Sequence, residues 1–146
     1  MATMKSEPNT HVYKTVHGLA EEMMRASYRQ EDEKFSTLYE QLNALCIEHE
    51  RTDKNHPVQW ETLADFTEDS DQALAHYKKA LRLAKTIDNR EYVASICYAM
   101  AVLLKEVNKL PEALALAEQA AEAAQQISDD DLKEEIKTLL GDLQDV

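Results

Sequence analysis

Laid against itself at an offset of 40 residues, the latter two-thirds of this chain places small residues on small and large on large. Ala73 falls on Ala113, Leu74 on Leu114, Ala80 on Ala120, Ala84 on Ala124 and Ile87 on Ile127. Between those runs Trp60, Met100 and Leu140 align, Leu63, Leu103 and Leu143 align, and Ile96 meets Ile136. A fixed period in this range marks stacked helical hairpins, each unable to bury its apolar face without a neighbour. Residues 109 to 127, KLPEALALAEQAAEAAQQI, sharpen the constraint, because Ala113, Ala117, Ala120 and Ala124 stand where a self-contained helix would carry leucine. Helices whose axes approach to the lower end of roughly 8 to 10 Å leave room only for methyl groups between them. Alanine is also the strongest helix former and suits a surface helix, but that reading does not explain the shared offset. Ala115 falls on the outer face of the same helix.

The remaining pattern is helical from end to end. Residues 1–9 are polar, contain Pro8 and are expected to be mobile. Val12, Val16, Leu19, Met23 and Ala26 form one helical stripe. After the charged break RQEDEK, Phe35, Leu38, Leu42, Leu45 and Cys46 form a second. Pro57 suits a first helical position, and Trp60, Leu63 and Ala64 follow on the buried side of a short third helix. TEDSD supplies a turn with N-caps before a fourth helix buried through Ala73, Leu74, Tyr77, Ala80, Leu81 and Ala84. Val93, Ile96, Cys97, Met100, Leu103 and Leu104 mark a fifth, which Asn108 stops, and Pro111 starts the sixth. Ser128, followed by three aspartates, is the expected cap of the seventh, carrying Leu132, Ile136, Leu139, Leu140 and Leu143.

Composition narrows the chemistry. The formal charge of −12 repels nucleic acid phosphates and anionic membranes, so neither is an expected partner. No stretch approaches the roughly 20 apolar residues of a membrane span, and the start has no signal-peptide core, so a cytoplasmic location is expected. Cys46 and Cys97 sit in apolar stripes and read as buried, reduced thiols. Gly18 and Gly141 are the only glycines, leaving no glycine-rich loop for a nucleotide, and nothing calls for a cofactor. The one cluster with ligand-type side chains is IEHERTDKNH, residues 47–56, where His49 and Asp53 share a helical face near Glu48, Glu50 and His56. Its spacing fits no zinc signature, and it reads as a solvated helix end and turn. His11, His17 and His76 are scattered surface or boundary residues, and no nucleophile motif or HExxH is present, so no enzyme is expected.

The pattern resembles the tetratricopeptide repeat family. Trp60 and Leu63 suit that family's first helix, and Ala73, Tyr77 and Ala80 its second; Met100, Ala101 and Leu104, then Ala113, Ala117 and Ala120, repeat the pair, and Leu140 and Gly141 begin a third. The offset of 40 exceeds the family's usual 34 or so, which is similar to a longer-helix variety. The resemblance implies a single all-α domain over residues 10–146, a right-handed superhelical stack of antiparallel hairpins with about seven helices. Within it, 10–50 would be a divergent hairpin, 57–88 and 90–127 repeats, and 129–146 a capping helix.

In the family, first helices line a concave groove that receives a peptide or helix of another protein. Transferred by register, that groove would hold Val58, Gln59, Thr62 and Asp65, then Ser95, Tyr98, Val102 and Lys105, then Glu135, Thr138 and Asp142. An apolar centre flanked by acids suits a basic or amphipathic segment. The lysines and asparagines with which some members clamp acidic chaperone tails are replaced here by Val58, Thr62, Tyr98 and Val102. The expected function is therefore a non-catalytic adaptor or chaperone-like module, similar in size and acidity to bacterial secretion chaperones of the family. The competing expectation is a self-assembling subunit, a homodimer through the stripes of Val12 to Ala26 and Phe35 to Cys46. A metal- or small-molecule-binding role ranks below both.

Overall fold

The computed structural model describes residues 10–145. The mobile tail expected at 1–9 lies outside the described residues. All regular structure among the described residues is helical, in seven helices: α1 Thr10–Tyr28, α2 Asp32–His49, α3 Pro57–Asp65, α4 Ser70–Thr86, α5 Arg90–Glu106, α6 Leu110–Ala124 and α7 Asp130–Gln144. Packing groups them into two compact units, one ending at His76 and one beginning at Tyr77, with the boundary inside α4.

In the first unit α1, α2 and α3 pack against one another. The stripe of α1 is buried at all five positions, Val12, Val16, Leu19, Met23 and Ala26. Leu38, Leu42 and Cys46 of α2 and Trp60, Leu63 and Ala64 of α3 complete this core, while Phe35 and Leu45 are half-buried. The segment between α2 and α3 is held by side-chain bonds. The Asn55 amide donates to the Glu50 carbonyl at 2.9 Å, and the Trp60 indole donates to Asn55 Oδ1 at 2.8 Å. His56 is the N-cap of α3, its Nδ1 accepting from the Val58 N–H at 3.1 Å, directly before Pro57.

In the second unit α6 contacts both α5 and α7, and α5 the more extensively. Ala113, Ala117, Ala120, Ala123 and Ala124 of α6 are buried, and Ala115 is exposed. The helix starts Ser70 and Leu110, and Arg90 and Asp130, are each 40 residues apart, and Ala73, Ala80 and Ala84 are buried like their counterparts Ala113, Ala120 and Ala124. Two boundaries differ from expectation. The cap of α7 is Asp129, whose Oδ1 accepts from the Leu132 N–H at 3.0 Å, and not Ser128; a carboxylate at that place also meets the helix dipole. α6 ends at Ala124 and not Ile127, since Gln125 to Ile127 turn away to reach that cap.

Glycine poverty does not prevent sharp turns. Gln30, Asp88 and Asn108 take left-handed backbone, with φ of 59°, 54° and 63°. Behind each, an N–H reaches back five residues: Glu31 to Ala26 at 2.8 Å, Asn89 to Ala84 at 3.0 Å and Lys109 to Leu104 at 2.8 Å. This Schellman closure satisfies carbonyls at the ends of α1, α4 and α5 and reverses the chain.

Candidate functional site

A recess of about 530 Å³ lies between α5 and α7. On α5 a spacing of four then three places Tyr98, Val102 and Lys105 along one face; on α7 a spacing of three then four does the same for Glu135, Thr138 and Asp142. Leu139, 7% exposed, forms the apolar floor between the half-buried Tyr98 and Val102. Glu106 and Glu134 stand at the rim.

The electrostatics run one way. Lys105 Nζ sits 3.8 Å from Asp142 Oδ2, and both side chains are substantially exposed, so the pair joins α5 to α7 while contributing little stability. Glu106, Glu134 and Glu135 outnumber the charge left over and make the mouth acidic. Burial, then the nearby Glu135 carboxylate and a hydrogen bond donated to it, raise the Tyr98 phenol above its ordinary value. At neutral pH Tyr98 therefore presents a neutral ring with its hydroxyl turned to an acid. An apolar floor with an acidic rim can hold a segment that is apolar on one side and basic at its edges.

Six of the eleven residues expected from sequence meet in this recess: Tyr98, Val102, Lys105, Glu135, Thr138 and Asp142. Ser95 lies one turn earlier on α5, half-buried and outside the lining. Val58, Thr62 and Asp65 lie on α3 in the other unit, the first two half-buried and the last exposed. Gln59 is a correction. It is fully buried, and its Nε2 donates to the Lys54 carbonyl at 2.6 Å while its backbone carbonyl accepts from Cys46 Sγ at 3.4 Å. Gln59 pins the segment before α3 and is not available to a partner.

Sequence reasoning missed Glu106, Glu134 and Leu139. The two acids looked like ordinary solvated charge, and Leu139 like pure core, although one turn of α7 sets Glu134 beside Thr138. A second recess, of about 620 Å³, lies in the first unit beside Phe35, Tyr39 and Phe66. The Phe35 and Phe66 rings meet edge to face, and the Tyr39 hydroxyl lies 2.7 Å from Thr67 Oγ1. Thr67 in turn donates to the Leu63 carbonyl at 2.7 Å, so Tyr39 is the donor to Thr67. That network is committed to holding α2 against the end of α3.

Burial pushes the Cys97 thiol up to about 11, against a small lowering by Lys85, which keeps it protonated and unreactive. No three His, Cys, Asp or Glu side chains among the described residues converge as metal ligands. In the 47–56 stretch, His56 is occupied as a cap. No described helix is long and apolar enough to cross a membrane. Comparison with family models, curated proteins and solved structures finds no match.

Proposed function

We propose that this chain is a non-catalytic protein-interaction module of tetratricopeptide-like build, acting in the cytoplasm as an adaptor or chaperone. The α5–α7 recess receives a basic amphipathic segment of a partner protein. The observation that supports this most is the recess itself: an apolar floor of Tyr98, Val102 and Leu139 inside an acidic rim, on helices braced by Lys105 and Asp142. Calorimetric titration with a basic amphipathic helical peptide, leucine on one face and lysine at its edges, tests it. Binding that weakens with added salt and is abolished by Val102→Glu supports the reading. An unaltered isotherm for Val102→Glu refutes it.

The stripes expected to pair in a homodimer are not free to do so, since Val12 to Ala26 and Leu38, Leu42 and Cys46 are buried within the unit; a second reading, self-association of the N-terminal helices, rests instead on another face of α1. Tyr13, Ala20, Met24 and Tyr28 lie on a single face beside the buried stripe, and Met24 is 63% and Tyr28 91% exposed. His17 stacks on Tyr13 along that face, at a ring separation of 6.2 Å. Light scattering separates the two readings. A dimer that Met24→Glu converts to monomer favours self-assembly, and a monomer at all concentrations favours the adaptor.

A further inference from the structure

The face of α7 turned away from the α5–α7 recess is open, although the repeat predicts a covered one. Position by position at the 40-residue offset, the α5 residues Cys97, Met100, Ala101 and Leu104 are at most 5% exposed. Their α7 counterparts are Lys137, exposed; Leu140 and Gly141, half-buried; and Gln144, exposed. The same holds on the neighbouring helix, where buried Leu81 of α4 corresponds to half-buried Ala121 of α6. α6 packs on α5; no described helix stands in the same relation to α7.

The open face forms a cleft of about 560 Å³ between α6 and α7, floored by Ala121, Ala124, Ile136, Leu140 and Gly141. Its charge is opposite to that of the chain. Lys133 and Lys137 line it and no acid does, in a molecule of net charge −12. A side chain's first carbon built on Gly141 meets nothing within 4 Å, so the glycine leaves real space at the middle of the floor. The replacement of Cys97 and Leu104 of the covered face by Lys137 and Gln144 makes this face tolerant of water while keeping its small, apolar centre.

We propose that the α6–α7 cleft docks a helix of another protein, one that carries alanine or similarly small residues at steps of four and three and acids along its edges. The shape requirement comes from the repeat: α6, the helix packed on α5, has a buried face made of alanines alone, Ala113, Ala117, Ala120, Ala123 and Ala124. The charge requirement comes from Lys133 and Lys137. This site is separate from the α5–α7 recess and demands a partner of opposite charge, so one molecule could bridge a basic and an acidic segment.

Because α6 itself carries an alanine face with acids at its edges, a synthetic peptide of residues 109–127 is a defined probe, with Glu112 and Glu118 flanking that face and Glu122 behind it. It is titrated into the isotopically labelled full chain and followed by amide NMR. The expected result is shift changes centred on Lys137, Leu140 and Gly141, with binding weakened about tenfold or more by Lys133→Glu combined with Lys137→Glu. Gly141→Trp should abolish binding and Gly141→Ala preserve it; the open space at Gly141 lets both variants fold, which thermal melts confirm. A peptide with the three glutamates changed to lysine should not bind. Absence of shifts at millimolar peptide, or shifts centred on Cys97 and Met100 from exchange with the chain's own α6, would overturn the proposal. An unliganded chain that light scattering shows to be an oligomer dissociated by Gly141→Trp would also overturn it, since the occupant would then be a second copy.

Discussion

The two units fill the space between their helices in opposite ways. In the first, the centre is occupied by long side chains, Met23 of α1, Leu42 of α2 and Trp60 of α3, each at most 2% exposed. In the second, α6 contributes only methyl groups to its buried face, and the bulk comes from α5 and α7 through Ile96, Met100, Ile136 and Leu139. A core of large residues on every helix is sensitive to loss of volume, because truncation leaves a cavity. A core in which one helix is shaved to alanine is sensitive to gain of volume, because no gap exists to receive it. α6 also touches both α5 and α7, the two helices that carry the acidic recess.

The same exchange of side chains, made in opposite directions, should therefore damage both units. Leu42→Ala is expected to cost about 2 to 5 kcal/mol, read from urea unfolding. Ala120→Leu is expected to cost about 1 to 3 kcal/mol. If Ala120→Leu is harmless, the second unit has slack and the contrast fails.

A smaller effect sharpens the contrast at α5. The folded Cys97 thiol titrates near 11 against an ordinary value of 9.0. The folded state thus holds its proton more tightly, and the associated stability is complete below the ordinary value and lost as pH rises through the folded one. By about pH 10 the loss should reach roughly 1 kcal/mol. Unfolding free energies of wild type and Cys97→Ala, compared between about pH 8 and pH 10, check this: the variant should lack that part of the slope.

The smallest expected effects come from backbone conformation in the first unit. A side chain at Gly18 would meet nothing within 4 Å, so Gly18→Ala should raise stability by about 0.5 to 1 kcal/mol through helix preference alone. Gln30, at a φ of 59°, should gain a comparable amount on change to glycine, about 0.5 to 1 kcal/mol. Thermal melts of the two single variants and their combination measure both.

Much of this architecture was legible from sequence because burial is periodic. The five-residue stripe of α1 and the alanines of α6 are both set by helix geometry, and both proved buried. The turns were legible less directly. Asn108 marked one and Asp88 is of a type that tolerates the same left-handed closure, but Gln30 adopts it with nothing in its side chain to announce it. At the site, register placed Tyr98, Val102, Lys105, Glu135, Thr138 and Asp142 on facing helices. It failed at Gln59, where a polar residue at a groove position is fully buried because the carbonyl of Lys54 reaches it. Periodicity reports which face a residue occupies; it does not report a loop folding back over that face. The open cleft at α7 was hidden for a related reason, since Leu140 reads as core whether or not a further helix covers it.

The central claim is that α6 lies so close to its neighbours that its buried face admits methyl groups alone. Urea unfolding of Ala113→Leu beside Ala115→Leu tests it with identical chemistry two residues apart. Ala113 is fully buried and Ala115 exposed, so the first variant should lose about 1 to 3 kcal/mol and the second should match wild type within about 0.5 kcal/mol. Equal stability of the two variants would contradict the account.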